Sequence, residues 1–243
     1  MMMTRRDNSS RGNRTLAALV LSAGVVLFAV VTLAVPRELG GRLIADDGLV
    51  QLATFVVLCT SVLLAIRRAI RDPGERVLLG LTSFMLVIYA AREADLHRAK
   101  WVPEHFSSSR FYLSADVPVA EKIVCGSFLM GVVIVGVMMI ARGVPKIAPA
   151  FRSRQPWLMF SVAWACVFAA SQVSDQSSWN EVFAGQAFEE IAEFMAAGFV
   201  VLTVLSYPSD DGMATAVDGD GNVGRDDDTN AKNGQPAEKA SAA

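Results

Sequence analysis

The feature that most constrains this chain is the recurrence of uncharged apolar blocks, each about as long as the 20 residues a helix needs to cross a bilayer. The first, Leu16–Val35, contains no Asp, Glu, Lys or Arg. Inside hydrocarbon every backbone N–H and C=O must be satisfied within the chain, so blocks of this length fold as helices packed side by side. Further blocks follow at Gly48–Ile66, from Val77, at Val119–Ala141, at Trp157–Val173 and at Phe188–Ser206. The expected fold is therefore all-α, a six-transmembrane-helix bundle over residues 15–206. A polar cytoplasmic segment (1–14) precedes it, and an acidic tail (207–243), expected to be disordered, follows.

The composition agrees: 53% of the 243 residues are hydrophobic, 19% are charged, and the mean hydropathy is +0.39. The net charge of −2 hides an asymmetry, because the tail holds 3 Lys+Arg against 8 Asp+Glu. Low hydrophobicity with excess like charge cannot bury enough apolar surface to fold. Asp218-Gly-Asp-Gly-Asn-Val223 has the look of a calcium loop but lacks Gly at its sixth position and Glu at its twelfth, and reads as solvated tail. No basic patch with interleaved aromatics exists, so nucleic acid is not an expected partner. The lipid bilayer is; nothing indicates a protein partner. Cys59, Cys125 and Cys166 fall far apart inside apolar blocks without C-x-x-C spacing and read as small buried hydrophobes.

Orientation follows from the basic residues, which stay on the cytoplasmic side. The N-terminal segment holds Arg5, Arg6, Arg11 and Arg14; the second connection holds Arg67, Arg68, Arg71 and Arg76; the fourth holds Arg142, Lys146, Arg152 and Arg154. The first and third connections hold fewer, and the fifth (Ser174–Ala187) has none. Six spans with both termini inside satisfy every connection, and place the chain as a multi-pass protein of a bacterial cytoplasmic membrane.

Against that frame the end of the third block, Tyr89-Ala-Ala-Arg-Glu-Ala-Asp-Leu-His97, is unusual. At ~1.5 Å per residue, Arg92 and Glu93 lie ~22–24 Å from Val77, a depth at which charge faces a bundle interior or a wet cavity. Tyr89, Glu93 and His97 recur every four residues and should form one helical stripe, while Arg92 and Asp95 can pair with each other. The same orientation brings Glu121 and Lys122, Gln172 and Asp175, and Glu189, Glu190 and Glu193 to this outer face. The carboxylates outnumber Arg92 and Lys122, so a proton or a bound cation should stand among them.

Three readings follow. In the first, an acidic extracytoplasmic pocket binds a cation or a polar headgroup. Its catalytic form uses Glu93 and His97 with Glu190 and Glu193 to hold a divalent metal ion, whose bound water attacks a lipid or envelope substrate; Glu93, His97 and Glu193 are its candidate catalytic residues. In the second, the charges are an ion-pair network fastening helices. In the third, they line a path for ions or substrate, against which stands the absence of charge from the cytoplasmic halves of the spans. His105 is a possible second imidazole ligand, although a solvated loop histidine is the simpler assignment. Gly126, Gly131 and Gly136 are five apart, so they share no face and are expected to relieve crowding on the fourth helix.

Arg92-Glu-Ala-Asp-Leu-His97, Arg110-Phe-Tyr-Leu and Glu121-Lys122 together resemble a group of bacterial polytopic membrane proteins of unassigned function, marked by R-E-x-D-x-H at the end of the third helix, a loop with R-[FY]-Y and a helix opening with E-K. The resemblance covers about residues 77–125 and implies no activity. The chain is also loosely similar to the alkaline ceramidase-like membrane hydrolases, which build a zinc site from histidines on several helices. It departs from them in having two histidines, no H-x-x-x-H and six expected spans rather than seven, and no site residue is carried over.

Overall fold

The structure, a computed structural model, describes residues 4–45, 48–96, 102, 103, 106 and 108–208. All regular structure among the described residues is helical. The helices are α1 (Thr4–Ala29), which runs into a π-helical turn (Val30–Ala34), α2 (Arg37–Ile44), α3 (Leu49–Arg71), α4 (Arg76–Glu93), α5 (Ser109–Leu113), α6 (Val119–Arg152), α7 (Pro156–Asp175) and α8 (Phe183–Ser206). A 3-10 turn, Ser178–Glu181, sits between α7 and α8.

Among the described residues, four segments are long and apolar enough to cross a membrane: Thr15–Ala34, Arg37–Arg71, Val119–Arg152 and Pro156–Asp175. The other two long helices each carry three charges, Arg76, Arg92 and Glu93 on α4 and Glu189, Glu190 and Glu193 on α8. Length and composition therefore establish four membrane-capable helical segments among the described residues.

Packing centres on α8, which contacts α1, α3 and α7. Its buried face runs through Ala187, Ile191, Ala192, Ala196, Ala197, Phe199, Val200 and Val204, and the four alanines let neighbouring backbones approach. Against α1, the Met195 side chain lies over Gly24, where a Cβ would meet its Sδ at 1.8 Å. Phe28 and Phe188 meet edge to face in the same seam, with centroids 6.2 Å apart. α3 and α4 form an antiparallel hairpin about the Asp72-Pro73-Gly74 turn. The hydroxyls of Thr54, Ser61 and Ser83 are turned into the interior, and each donates to the carbonyl four residues back, so none is left unsatisfied.

The connections differ from expectation in three places. Arg37–Ile44, read as loop, forms α2, which buries Gly40 and Ile44. The fourth span does not stop at Ala141: α6 continues through Pro145 and Pro149 to Arg152. The two prolines stand four apart, so their missing N–H donors fall on one face and the other face keeps its bonds. α8 begins at Phe183 rather than Phe188, which sets Glu189 and Glu190 in its second turn. The glycines of α6 relieve no crowding: a Cβ on Gly131 or Gly136 has nothing within 4 Å. All three cysteines are free; Cys125 is buried and Cys59 half-buried, but Cys166 is exposed on the outer surface of α7. The compact unit ends at Tyr207. Residues 209–243, including the calcium-like stretch, lie outside the described residues.

Candidate functional site

The core stripe of α4 explains how a carboxylate enters the interior. Leu79, Ser83, Leu86, Ala90 and Glu93 recur every three or four positions and are all buried, so Glu93 occupies the next position of an otherwise uncharged face. The helix then stops. Asp95 has φ 48°, a left-handed conformation that a short polar side chain tolerates, and its N–H bonds the Arg92 carbonyl at 3.0 Å. α4 ends at Glu93, so among the described residues the stripe expected of Tyr89, Glu93 and His97 is seen only for Tyr89 and Glu93. His97 itself lies outside the described residues, as do Arg98, Lys100, Trp101 and His105.

Three helices converge on the end of α4. Gln51, near the start of α3, donates from Nε2 to the Glu93 carbonyl at 2.9 Å and to Asp95 Oδ2 at 3.3 Å. From α8, Glu193 offers Oε1 to Arg92 Nη2 at 3.5 Å and to Gln172 Nε2 of α7 at 3.2 Å. Glu93 and Glu193, 6% and 7% exposed, act electrostatically on each other. Asp95 and Glu189 act electrostatically on Glu93, and Asp175 acts on Glu193.

Aromatic rings close the side of the cluster. Phe168 of α7 meets Tyr89 edge to face at 5.5 Å and stacks on Trp164 at 5.9 Å, and the Arg92 guanidinium stands over its ring at 5.9 Å. Tyr89 lies in electrostatic range of Glu93, Glu193 and Arg92. The Tyr89 hydroxyl and Trp164 Nε1 are buried without a hydrogen-bond partner.

Of the residues expected at the site, Tyr89, Arg92, Glu93, Asp95, Asp175, Glu189 and Glu193 are thus brought together, with Glu190 half-buried beside Glu189. Lys122 is engaged elsewhere, donating from Nζ to the Ser114 carbonyl at 2.6 Å, and Glu121 is exposed. Among the described residues no three His, Cys, Asp or Glu side chains are grouped as a metal ion would require.

A second buried polar group, at the opposite end of the bundle, escaped the sequence reading. Glu75, which precedes α4 and is 3% exposed, takes the Lys146 ammonium on Oε1 and the Tyr207 hydroxyl on Oε2, the latter at 3.1 Å. Tyr207 also packs on Trp157, with centroids 5.3 Å apart, and Lys146 stands over its ring. Ending the fourth helix at Ala141 and assigning Tyr207 to the tail hid this set. Glu75 thus places a buried carboxylate at the α3–α4 turn, at the end of the bundle away from Glu93 and Glu193. The usable signal was apolar helical spacing that continues past Pro145 to Ala150.

The fold and site define an all-helical protein with membrane-span character and a buried polar cluster between helices. No family model, curated protein or solved structure matches the chain.

Proposed function

We infer that this is a six-span protein of a bacterial cytoplasmic membrane, with both termini inside, that serves as an assembly or scaffold protein whose polar cluster fastens its helices at the outer face. One observation carries the reading: the mapped bonds of the cluster join different helices. Gln51 ties α3 to the end of α4, Arg92 ties α4 to α8, and Gln172 ties α7 to α8. Polar groups in hydrocarbon must find partners in protein, so such bonds specify which helices are neighbours. α4 and α8 count as spans because Glu93 and Glu193 stand on their buried faces, toward protein rather than lipid. Membership in the R-E-x-D-x-H group is part of the same proposal.

Metal analysis of the purified protein beside Glu93→Ala, His97→Ala and Glu193→Ala tests it. A fastening role gives no stoichiometric metal and lower melting temperatures for the two glutamate variants. Stoichiometric metal that disappears in all three would replace this reading with a metal-assisted hydrolase or transferase acting on a lipid or envelope substrate.

A specific observation favours a second reading, an outward-facing site for a cation or polar headgroup. The buried Tyr89 hydroxyl has no partner among the described residues, and it lies in electrostatic range of both Glu193 and Glu93. Such a site predicts a saturable rise in melting temperature with one added cation or with ethanolamine, absent in Tyr89→Phe. A rise shared by all salts and kept in Tyr89→Phe would remove it.

A further inference from the structure

The seam between α3 and α4 opens into a cleft of about 460 Å³ that contains none of the cluster residues. Ile66, Ala69 and Ile70 line it from α3, and Arg76, Gly80, Ser83, Phe84 and Val87 from α4. The α4 positions are spaced four, three or four, and three or four apart, so they form one stripe running from the interhelical turn toward the bundle middle. From Arg76 to Val87 that stripe is ~16 Å long at ~1.5 Å per residue. One leaflet supplies half of the ~30 Å hydrocarbon thickness, about the same length. The walls are apolar and open outward: Ile66, Ile70, Phe84 and Val87 are exposed. The Ser83 hydroxyl is already satisfied by the Leu79 carbonyl, so it makes no demand on an occupant.

The turn end of the cleft is strongly basic. Arg76 lines the cleft, and Arg67 and Arg71 are exposed close by in sequence. Of the two acids in this turn, Glu75 is buried and occupied by Lys146 and Tyr207, and Asp72 is half-buried and accepts the Glu75 N–H at 3.4 Å, so Arg67, Arg71 and Arg76 outnumber the carboxylate left at this end. A guanidinium at the polar end of an apolar groove one leaflet long is complementary to one class of molecule, an amphiphile with an anionic head and an acyl tail.

We propose that the α3–α4 seam holds an anionic phospholipid of the leaflet facing the 67–76 turn, its acyl chain along Gly80, Phe84 and Val87 and its phosphate at Arg76. The proposal rests on the reading that the chain spans a membrane; on the orientation inferred above, the leaflet is the cytoplasmic one. The lipid would bind as a fixed neighbour of α4, whose seam with α3 is otherwise incompletely filled.

Native mass spectrometry of the full-length protein released from vesicles of equal palmitoyl-oleoyl phosphatidylglycerol and phosphatidylcholine tests this. The unaltered protein should retain phosphatidylglycerol in preference to phosphatidylcholine. Gly80→Phe, at a position where a Cβ has nothing within 4 Å, puts a ring in the cleft and should abolish retention. Arg76→Gln should lower it about fivefold, with recovery in Arg76→Lys, as expected for loss of one basic side chain at an anionic surface. Gly136→Phe, in an equally open place on α6, should change nothing. Equal retention of both lipids, or retention unchanged by both Gly80→Phe and Arg76→Gln, overturns the proposal. If the protein does not float with the vesicles at all, the membrane reading fails instead, and the two failures are separately visible.

Discussion

Lys146 donates its ammonium to the Glu75 carboxylate across 71 positions of sequence, joining the far end of α6 to the turn that opens α4. In sequence Lys146 is one of the basic residues of the fourth connection, and nothing there singles out Glu75. With Tyr207 on its second oxygen, the Glu75 carboxylate is fully enclosed by protein. Glu75→Ala should therefore cost about 3 kcal/mol in unfolding, at the lower edge of a broken buried pair because Lys146 is partly exposed. Tyr207→Phe should cost about 1 kcal/mol. Thermal unfolding in detergent measures both, and a Glu75→Ala protein as stable as its parent would show the contact to be idle.

At the other end, burial separates residues that composition treats alike. Glu193→Ala removes the acceptor shared by Arg92 and Gln172, and should destabilise by about 2 kcal/mol. Glu121→Ala, on an exposed carboxylate, should stay within about 0.5 kcal/mol of wild type. The comparison is made by the same unfolding assay, and similar losses from both would contradict the assembled cluster.

Close approach of α1 to α8 makes Gly24 intolerant of branching. Its Cβ would fall on Met195, a flexible side chain that can yield to Ala but not to Val, so Gly24→Val should cost about 1–3 kcal/mol. Gly131→Ala, in open space within α6, should be neutral or stabilising by up to about 1 kcal/mol, the difference in helix propensity. Melting temperatures of the two variants should move in opposite directions or differ clearly in size.

Orientation is checked by cysteine labelling of intact cells in a chain whose Cys59, Cys125 and Cys166 have been replaced. An impermeant maleimide should modify Ser177→Cys, between α7 and α8, and leave Gly74→Cys, in the α3–α4 turn, unlabelled. The reverse pattern would invert the bundle and move the acidic cluster to the inside.

Much of the fold was legible. Leu16–Val35 and Trp157–Val173 are uncharged over a membrane's width; α1 and its π-helical turn cover the first as far as Ala34, and α7 includes the second. The converging carboxylates were legible as well, because an antiparallel series of helices returns every second connection to the same face. What was not legible turned on where helices end. Asp95 enters the left-handed region and stops α4 before His97, and nothing in the spacing of Tyr89, Glu93 and His97 reveals that. In the opposite sense, Pro145 and Pro149 look like a stop and are not one.

The sequence by itself determined the element type and the inventory of charges, because apolar length and backbone hydrogen bonding in hydrocarbon allow only helices here and make each charge conspicuous. The tertiary structure decided the partners. Arg92 faces Glu193 and Glu75 faces Lys146, because helix rotation and crossing, set by where Gly24 and the α8 alanines permit close packing, bring together side chains that no periodicity along one strand of sequence relates.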